Sequence, residues 1–548
     1  MVDLKRLNCF VLLASLLPLA SALSINTTSP AATVLNGTYI GKTVQEWQQD
    51  QFLGIPYAQP PIGSLRFAWP RSINTSFSEP RNATQYGYSC YQYGTTFSLS
   101  EDCLTLNVIR PAGTKESDRL PVLVWVYGGG LTGGSTADQQ YNVSGIAKVG
   151  QDIGKPVIVV SINYRLGVWG FLPTPQVLAE GSSNAGFLDQ RLAFRWIKEN
   201  IASFGGNPSH ITIWGESAGA QSIGLHLHSY AGRNDNLFHA AILESGGPVG
   251  AALNPLSFYT APVENLTRTT NCFTSTDQLS CLRSLSSETL FKAQVTQIWN
   301  PIVDGDFLTD YPSNLAAQGK FIRIPLINGA NTDEGTSFGV TGMNTEKDIF
   351  NSLLTFRKSA AYAIGPASAR KLLELYPNEG PQPPYNVPET TVFPKNGLQW
   401  RRDCAIAGDI VMIAQRRKMC EQYTHGRQKV WSYRFDTPLW NADVTHGARH
   451  FVNVVFSFQN ISGALGPIPK FESYGKLSRD IGRAYISFAN DYDPNTSRGN
   501  ESTLPFWPRY DQGPTNMVLN SNGSFVESDT WRKEGIAYIN GMGRELNA

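Results

Sequence analysis

The sequence predicts an α/β fold built on a doubly wound, mostly parallel sheet. Apolar, β-branched runs recur along the chain, segments with helical spacing lie between them, and glycine or turn chemistry follows the runs. Val122 to Tyr127 and Val157 to Ile162 are apolar, β-branched runs, the pattern of strands buried on both faces. Ile211 to Trp214, Ala241 to Leu243, Ile324 to Ile327 and Val430 to Phe435 extend the series. Leu192, Trp196, Ile197 and Ile201 recur at the spacing of one helix face. Residues 250–320 and 340–425 read as helical insertions that roof the sheet, with Leu372, Leu373 and Leu375 in one helix and Ile410 to Ala414 in another.

Composition narrows the function classes. The 548 residues are 41% hydrophobic, 11% aromatic and 16% charged, a globular balance that excludes disorder, collagen and coiled coil. With 45 basic against 44 acidic residues and no long block of like charge, nothing draws the surface to nucleic acid or anionic lipid.

Residues 1–22 have the order of a signal peptide: Lys5 and Arg6, an apolar run from Cys9 to Leu19 too short to span a bilayer, then Ala20-Ser21-Ala22. The expected mature chain, 23–548, is one large domain with 43 basic and 43 acidic residues. No later run is long and apolar enough for a membrane helix, and the last residues carry no lipid-anchor or retention signal. A secreted product without a stable membrane anchor is the expectation. Ten sequons fit it, at Asn26, Asn36, Asn74, Asn82, Asn142, Asn265, Asn460, Asn495, Asn500 and Asn522.

Loss of Cys9 with the leader leaves six cysteines in an oxidising compartment. Cys90 with Cys103, and Cys272 with Cys281, are near enough in sequence to staple short loops, each worth about 2–4 kcal/mol. Cys404 and Cys420 have no assigned pairing, since a helix between them would hold them roughly 24 Å apart.

The chemistry starts at Gly215-Glu216-Ser217-Ala218-Gly219, between an expected strand and an expected helix. In that context small flanking residues let a strained turn lift a serine oxygen out of the sheet, so Ser217 is the candidate nucleophile. Phe204-Gly205-Gly206-Asn207-Pro208-Ser209-His210-Ile211-Thr212-Ile213-Trp214 leads into it, and Glu101-Asp102-Cys103-Leu104-Thr105-Leu106-Asn107-Val108 lies upstream. Both resemble the two signatures of the type-B carboxylesterase/lipase family, which includes cholinesterases and fungal secreted lipases. Phe52 to Phe67 (FLGIPYAQPPIGSLRF) and Leu504 to Tyr510 (LPFWPRY) resemble two further family blocks, so the likeness covers nearly the whole mature chain. It implies an α/β-hydrolase fold and ester hydrolysis through an acyl-enzyme, with no cofactor and no metal.

The resemblance carries the oxyanion-hole role onto Gly129, Gly130 and Ala218, with Gly128-Gly129-Gly130 at the end of the Val122 strand. It also carries the acid role onto Glu334 in Asn328-Gly329-Ala330-Asn331-Thr332-Asp333-Glu334-Gly335, with Asp333 the rival. The base must follow the acid in the order Ser, acid, His. His210, His226, His228, His239 and His425 do not suit, which leaves His446 and His450. Counted from His450, Asn453, Val454, Phe456 and Phe458 reproduce the family's acidic-aliphatic-x-aromatic-x-Phe continuation, save that Asn453 replaces an acid. Counted from His446, the same offsets fall on Arg449, His450, Val452 and Val454, so His450 is the expected base. Ser245 matches a serine that supports the catalytic acid in the family.

In the family the disulfide loop before the EDCL block is a flap over the entrance. Here Cys90 and Cys103 enclose only Tyr91 to Asp102, twelve residues without tryptophan. A short flap points to direct esterase action on small or mid-sized carboxylic esters rather than interfacial lipase activation, and no tryptophan face offers itself to choline. A lipase, a biosynthetic acyltransferase or lactone-forming relative, and a non-catalytic cholinesterase-like binding protein are the alternative readings. Oligomeric state is not legible.

Overall fold

The structure is a computed structural model that describes residues 29–249, 252–293, 299–356, 364–460, 471–499 and 502–546. The expected signal peptide, Asn26 and Asn500 lie outside them.

Eleven strands form the central sheet: Lys42–Val44 (β1), Gln49–Pro56 (β2), Thr105–Pro111 (β3), Leu120–Val126 (β4), Ile158–Ile162 (β5), Gly206–Glu216 (β6), Ala240–Glu244 (β7), Leu326–Asn331 (β8), Val430–Phe435 (β9), Thr515–Leu519 (β10) and Phe525–Ser528 (β11). Their spatial order is β11-β10-β9-β8-β7-β6-β4-β5-β3-β2-β1. Neighbours from β10 through β5 run parallel, and antiparallel pairings close both edges. The six expected strands are thus the middle of the sheet. Helices cover both faces, so Val122 to Val126 and Ala240 to Leu243 are fully buried and can be apolar throughout.

The antiparallel flank was not expected as strand, and β3 shows why. Asn107 and Arg110 interrupt its apolar run, but both are buried with partners from elsewhere. Asn107 donates to the Ser161 hydroxyl (3.0 Å) and accepts from Gly54 N (2.9 Å), and Arg110 meets Asp50 (3.4 Å).

The insertions are helical as expected. The first holds Thr260–Thr269, Gln278–Ser284, Ser287–Lys292 and Pro312–Ala317; the second holds Glu346–Leu354, Pro366–Leu375 and a long run from Trp400 to His425 that widens into a π turn at Asp409–Ile413. Both expected disulfides are formed, Cys90 to Cys103 and Cys272 to Cys281. Cys404 and Cys420 lie on the long helical run as free, buried thiols.

Candidate active site

Parallel strands deliver their C-terminal ends to one edge of the sheet, where ligands bind in such folds. Ser217 follows β6 there with φ 54° and ψ −123°, a conformation that costs free energy in any residue with a side chain. Two glycines permit it. A Cβ on Gly219 would lie 2.0 Å from the Val126 carbonyl oxygen, and one on Gly215 would lie 2.7 Å from the Gly219 carbonyl carbon. Strand, turn and the next helix (Ala218–Gly232) therefore approach more closely than any other residue allows, which holds the serine out of the sheet.

The side chains expected from sequence come together there. Ser217 Oγ lies 2.9 Å from His450 Nε2, and His450 Nδ1 lies 2.7 Å from Glu334 Oε2. The other Glu334 oxygen accepts the Asn331 N–H at 2.7 Å, so the carboxylate is fixed at both ends. The histidine keeps 14% of its side chain exposed while the acid has none.

The rivals stand aside with tasks of their own. His446 meets the Arg449 guanidinium (3.4 Å), not the serine. Asp333 accepts from Tyr385 N (2.9 Å) and Ala448 N (2.7 Å), tying the acid loop to the loop that carries His450. Burial raises its carboxyl to about 6, although those two N–H groups oppose the shift. His226 bonds Gln190 and His228 bonds the Gly224 carbonyl, both deep in the helix after the serine. Ser245 departs from its expected role. Its buried hydroxyl has no hydrogen-bond partner among the described residues, and the acid is held by Asn331 instead.

Gly129 (φ +104°) and Gly130 (φ +64°) adopt left-handed backbone beside the serine, in a tight turn whose Thr132 and Gly133 amides both donate to the Gly129 carbonyl (3.1 and 3.0 Å). Gly128 packs against Ser217 so closely that a Cβ on it would stand 2.9 Å from the serine Cβ. Among the described residues no backbone acceptor outside helix and strand ladders takes the N–H of Gly129, Gly130 or Ala218.

Two buried carboxylates, at the ends of β6 and β7, were not singled out from sequence. Glu216 is fully buried, neither of its oxygens is hydrogen-bonded among the described residues, and its Oε1 lies 3.4 Å from His450 Nε2. Burial pushes its carboxyl above the usual range, with the Glu334 and Glu244 charges adding to that and His450 opposing. Burial acts to lower the His450 imidazole, but the Glu216 and Glu334 carboxylates outweigh it and hold the proton more tightly than in water. Glu244, also buried, accepts from the hydroxyls of Ser457 (2.7 Å) and Tyr485 (2.6 Å). Burial raises it to about 7 against those bonds. The sequence signal was available: β6 and β7 each end in Glu-Ser, and Glu216 pairs with Glu244 across the ladder. Asn453, where the family has an acid, accepts from Asn331 Nδ2 (3.0 Å) and so joins the two loops without charge. Among the described residues no three His, Cys, Asp or Glu side chains are grouped to hold a metal ion.

A sequence profile described as the carboxylesterase family matches residues 23–534. The chain belongs to that family. It is 32% identical to "Lipase 4" of Diutina rugosa, over 92% of this chain and 95% of that one. Against "Secreted lipase 1" of Botryotinia fuckeliana it is 33% identical, over 95% of this chain and 93% of that one. The crystal structure of Aspergillus niger EstA superposes with a TM-score of 0.83 at 27% identity, covering 95% of this chain and 99% of that one. The fold is the α/β-hydrolase fold of carboxylesterases, and the protein is a carboxylic ester hydrolase.

Proposed function

We propose that the protein is a secreted serine carboxylesterase in which Ser217, His450 and Glu334 form the catalytic triad. The observation that carries this reading is the unbroken hydrogen-bonded line from Ser217 Oγ through both nitrogens of His450 to Glu334. His450 Nε2 takes the serine proton as Oγ bonds to the ester carbonyl carbon. The carbonyl oxygen, now negative, accepts hydrogen bonds from the Gly129, Gly130 and Ala218 amides. Collapse breaks the bond to the alcohol oxygen, which receives the proton from Nε2, and the acyl group stays on Ser217. Water then enters by the same steps and releases the acid, while Glu334 holds the imidazole in register and stabilises its protonated form.

Direct esterase action is supported by the way the flap is held. Tyr91 stacks on Trp169 (centroids 5.0 Å apart, 16° between planes) and Tyr93 on Phe291 (4.7 Å, 19°), so the flap's two tyrosines are already engaged by the body of the protein. Relatives named as lipases keep the lipase reading in play. Secretion draws on relatives named as secreted lipases, and among the sequons Asn74, Asn82, Asn265 and Asn522 are exposed. Asn495 is a poor acceptor, since its amide donates to Asp493 and to the Trp507 carbonyl.

A fluorophosphonate probe should label wild type and leave Ser217→Ala unlabelled. Hydrolysis of a short-chain ester should rise smoothly through its solubility limit; a sharp jump at the emulsion boundary would replace esterase by lipase and leave the triad standing.

A further inference from the structure

Backbone donors stabilise an oxyanion only if they are aimed before it forms, yet the turn that carries Gly129 and Gly130 is poor in means to aim itself. Four of the residues from 129 to 134 are glycine, and three of them, Gly129, Gly130 and Gly134 (φ +121°), occupy left-handed backbone. Glycine is as free to leave such conformations as to enter them. The turn is closed by the Thr132 and Gly133 amides on the Gly129 carbonyl, and its far end is packed to the limit: a Cβ on Gly134 would lie 2.3 Å from the Tyr127 ring and 2.7 Å from the Gly128 carbonyl oxygen. Whatever fixes Gly134 therefore fixes the whole turn.

Gln92 fixes it. This flap residue is 4% exposed, and its amide pairs with both backbone groups of Gly134, donating to the carbonyl (2.8 Å) and accepting from the N–H (2.9 Å). Its second amide hydrogen goes to the Cys90 carbonyl (3.1 Å), inside the Cys90–Cys103 disulfide. Two of the side chain's three bonds thus join the flap to the oxyanion turn, and the third anchors it at the disulfide. One residue on, the hydroxyls of Ser135 and Ser89 meet at 2.6 Å, a second stitch between the same two segments. We propose that Gln92 is a positioning residue that couples the disulfide-closed flap to the oxyanion hole and sets the aim of the Gly129 and Gly130 donors. The inference rests on the catalytic assignment proposed above.

The negative oxygen exists only in the transition state, so loss of aim lowers kcat and leaves KM little changed. In the secreted full-length enzyme, with rates expressed per fluorophosphonate-titrated site on a soluble short-chain ester, Gln92→Ala should lower kcat about 10- to 100-fold with KM within about threefold. That is short of the roughly 10²–10³ cost of deleting a donor outright. Gln92→Glu separates aiming from simple packing. A protonated carboxyl can still accept the Gly134 N–H and donate to its carbonyl, but a carboxylate has no hydrogen to donate. The kcat of Gln92→Glu relative to wild type, measured across pH, should stand near one at acid pH and fall as the new carboxyl ionises; taking the ratio removes the titration of the base. A ratio flat with pH, or a Gln92→Ala enzyme with full kcat per site whatever its melting temperature, overturns the proposal. Ser217→Ala run alongside separates the failures: residual turnover there sinks the catalytic reading, whereas a dead Ser217→Ala beside fully active Gln92 variants sinks only the coupling.

Discussion

Two adjacent strand ends, those of β6 and β7, are built almost alike, and only one is set up for chemistry. Each closes in Glu-Ser, with Glu216 and Glu244 in matched register. Each serine has a positive φ, 54° at Ser217 and 50° at Ser245, and each donates its N–H to the end of the next strand, at Glu244 O (2.9 Å) and Gly329 O (2.8 Å). The difference lies in what the distant chain brings. Ser217 meets the imidazole of a residue 233 positions later, while the Ser245 hydroxyl meets nothing it can bond among the described residues. Glu216 has no hydrogen bond among the described residues and stands beside that imidazole, while one oxygen of Glu244 accepts from both Ser457 and Tyr485. A strained serine at a strand end is thus a position, and in the proposed triad the loop after β9 makes it a nucleophile.

The largest contrast should be between the serines. Ser217→Ala should cut kcat by about 10⁴-fold or more, as loss of a triad member does. Ser245→Ala should keep kcat within about threefold and hold or raise the melting temperature, because it deletes a buried hydroxyl that has no partner. Comparable losses in both variants would erase the distinction. Next come the histidines: His450→Ala should lose several orders of magnitude in kcat with disulfides and fold intact, and His446→Ala should lose less than about tenfold. A dead, folded His446→Ala beside an active His450→Ala would reassign the base. The smallest contrast concerns the glutamates and is read from the pH profile of kcat/KM. In the proposed triad turnover needs neutral His450, and nearby carboxylates hold its proton, so the acid limb should sit above the reference value of about 6.5. Glu216→Gln removes one of the carboxylates that favour the imidazolium, lowers the pH at which the base becomes free, and should move the limb to lower pH. Glu244→Gln should move it little, since its oxygen is bonded to Ser457 and Tyr485. A limb unmoved by Glu216→Gln would remove Glu216 from the account of the base.

What was legible in the sequence divides along the same line. The middle strands could be read because burial on both faces writes them as unbroken apolar runs, and Gly215 and Gly219 because nothing larger fits. His450 was separable from His446 only through the pattern of residues that follow it. The antiparallel flank stayed hidden because Asn107 and Arg110 look like surface residues until Ser161, Gly54 and Asp50 arrive from other strands. Glu216, Glu244 and Gln92 were hidden for the same reason: a buried polar side chain is defined by its neighbours, and here those neighbours lie 28 to 241 positions away or in a backbone turn whose shape no local window records.

The long helical run from Trp400 to His425 stores two unpaired thiols in a protein expected to mature among disulfides. Folded, they are inert: burial pushes the Cys420 thiol up to about 12 and the Cys404 thiol well above its ordinary range, so neither forms the thiolate that attacks a disulfide. Unfolded, both return to a value of about 8.5 in the same chain as two disulfides, and six cysteines can then pair in 15 ways. Heating past the melting point therefore starts a scrambling reaction that cooling does not undo, and it runs faster in alkaline buffer, where more of each thiol is ionised. The shelf life of this enzyme is then a matter of how rarely one helix opens, and a thiol-blocking reagent added before heating should recover activity that cooling alone does not.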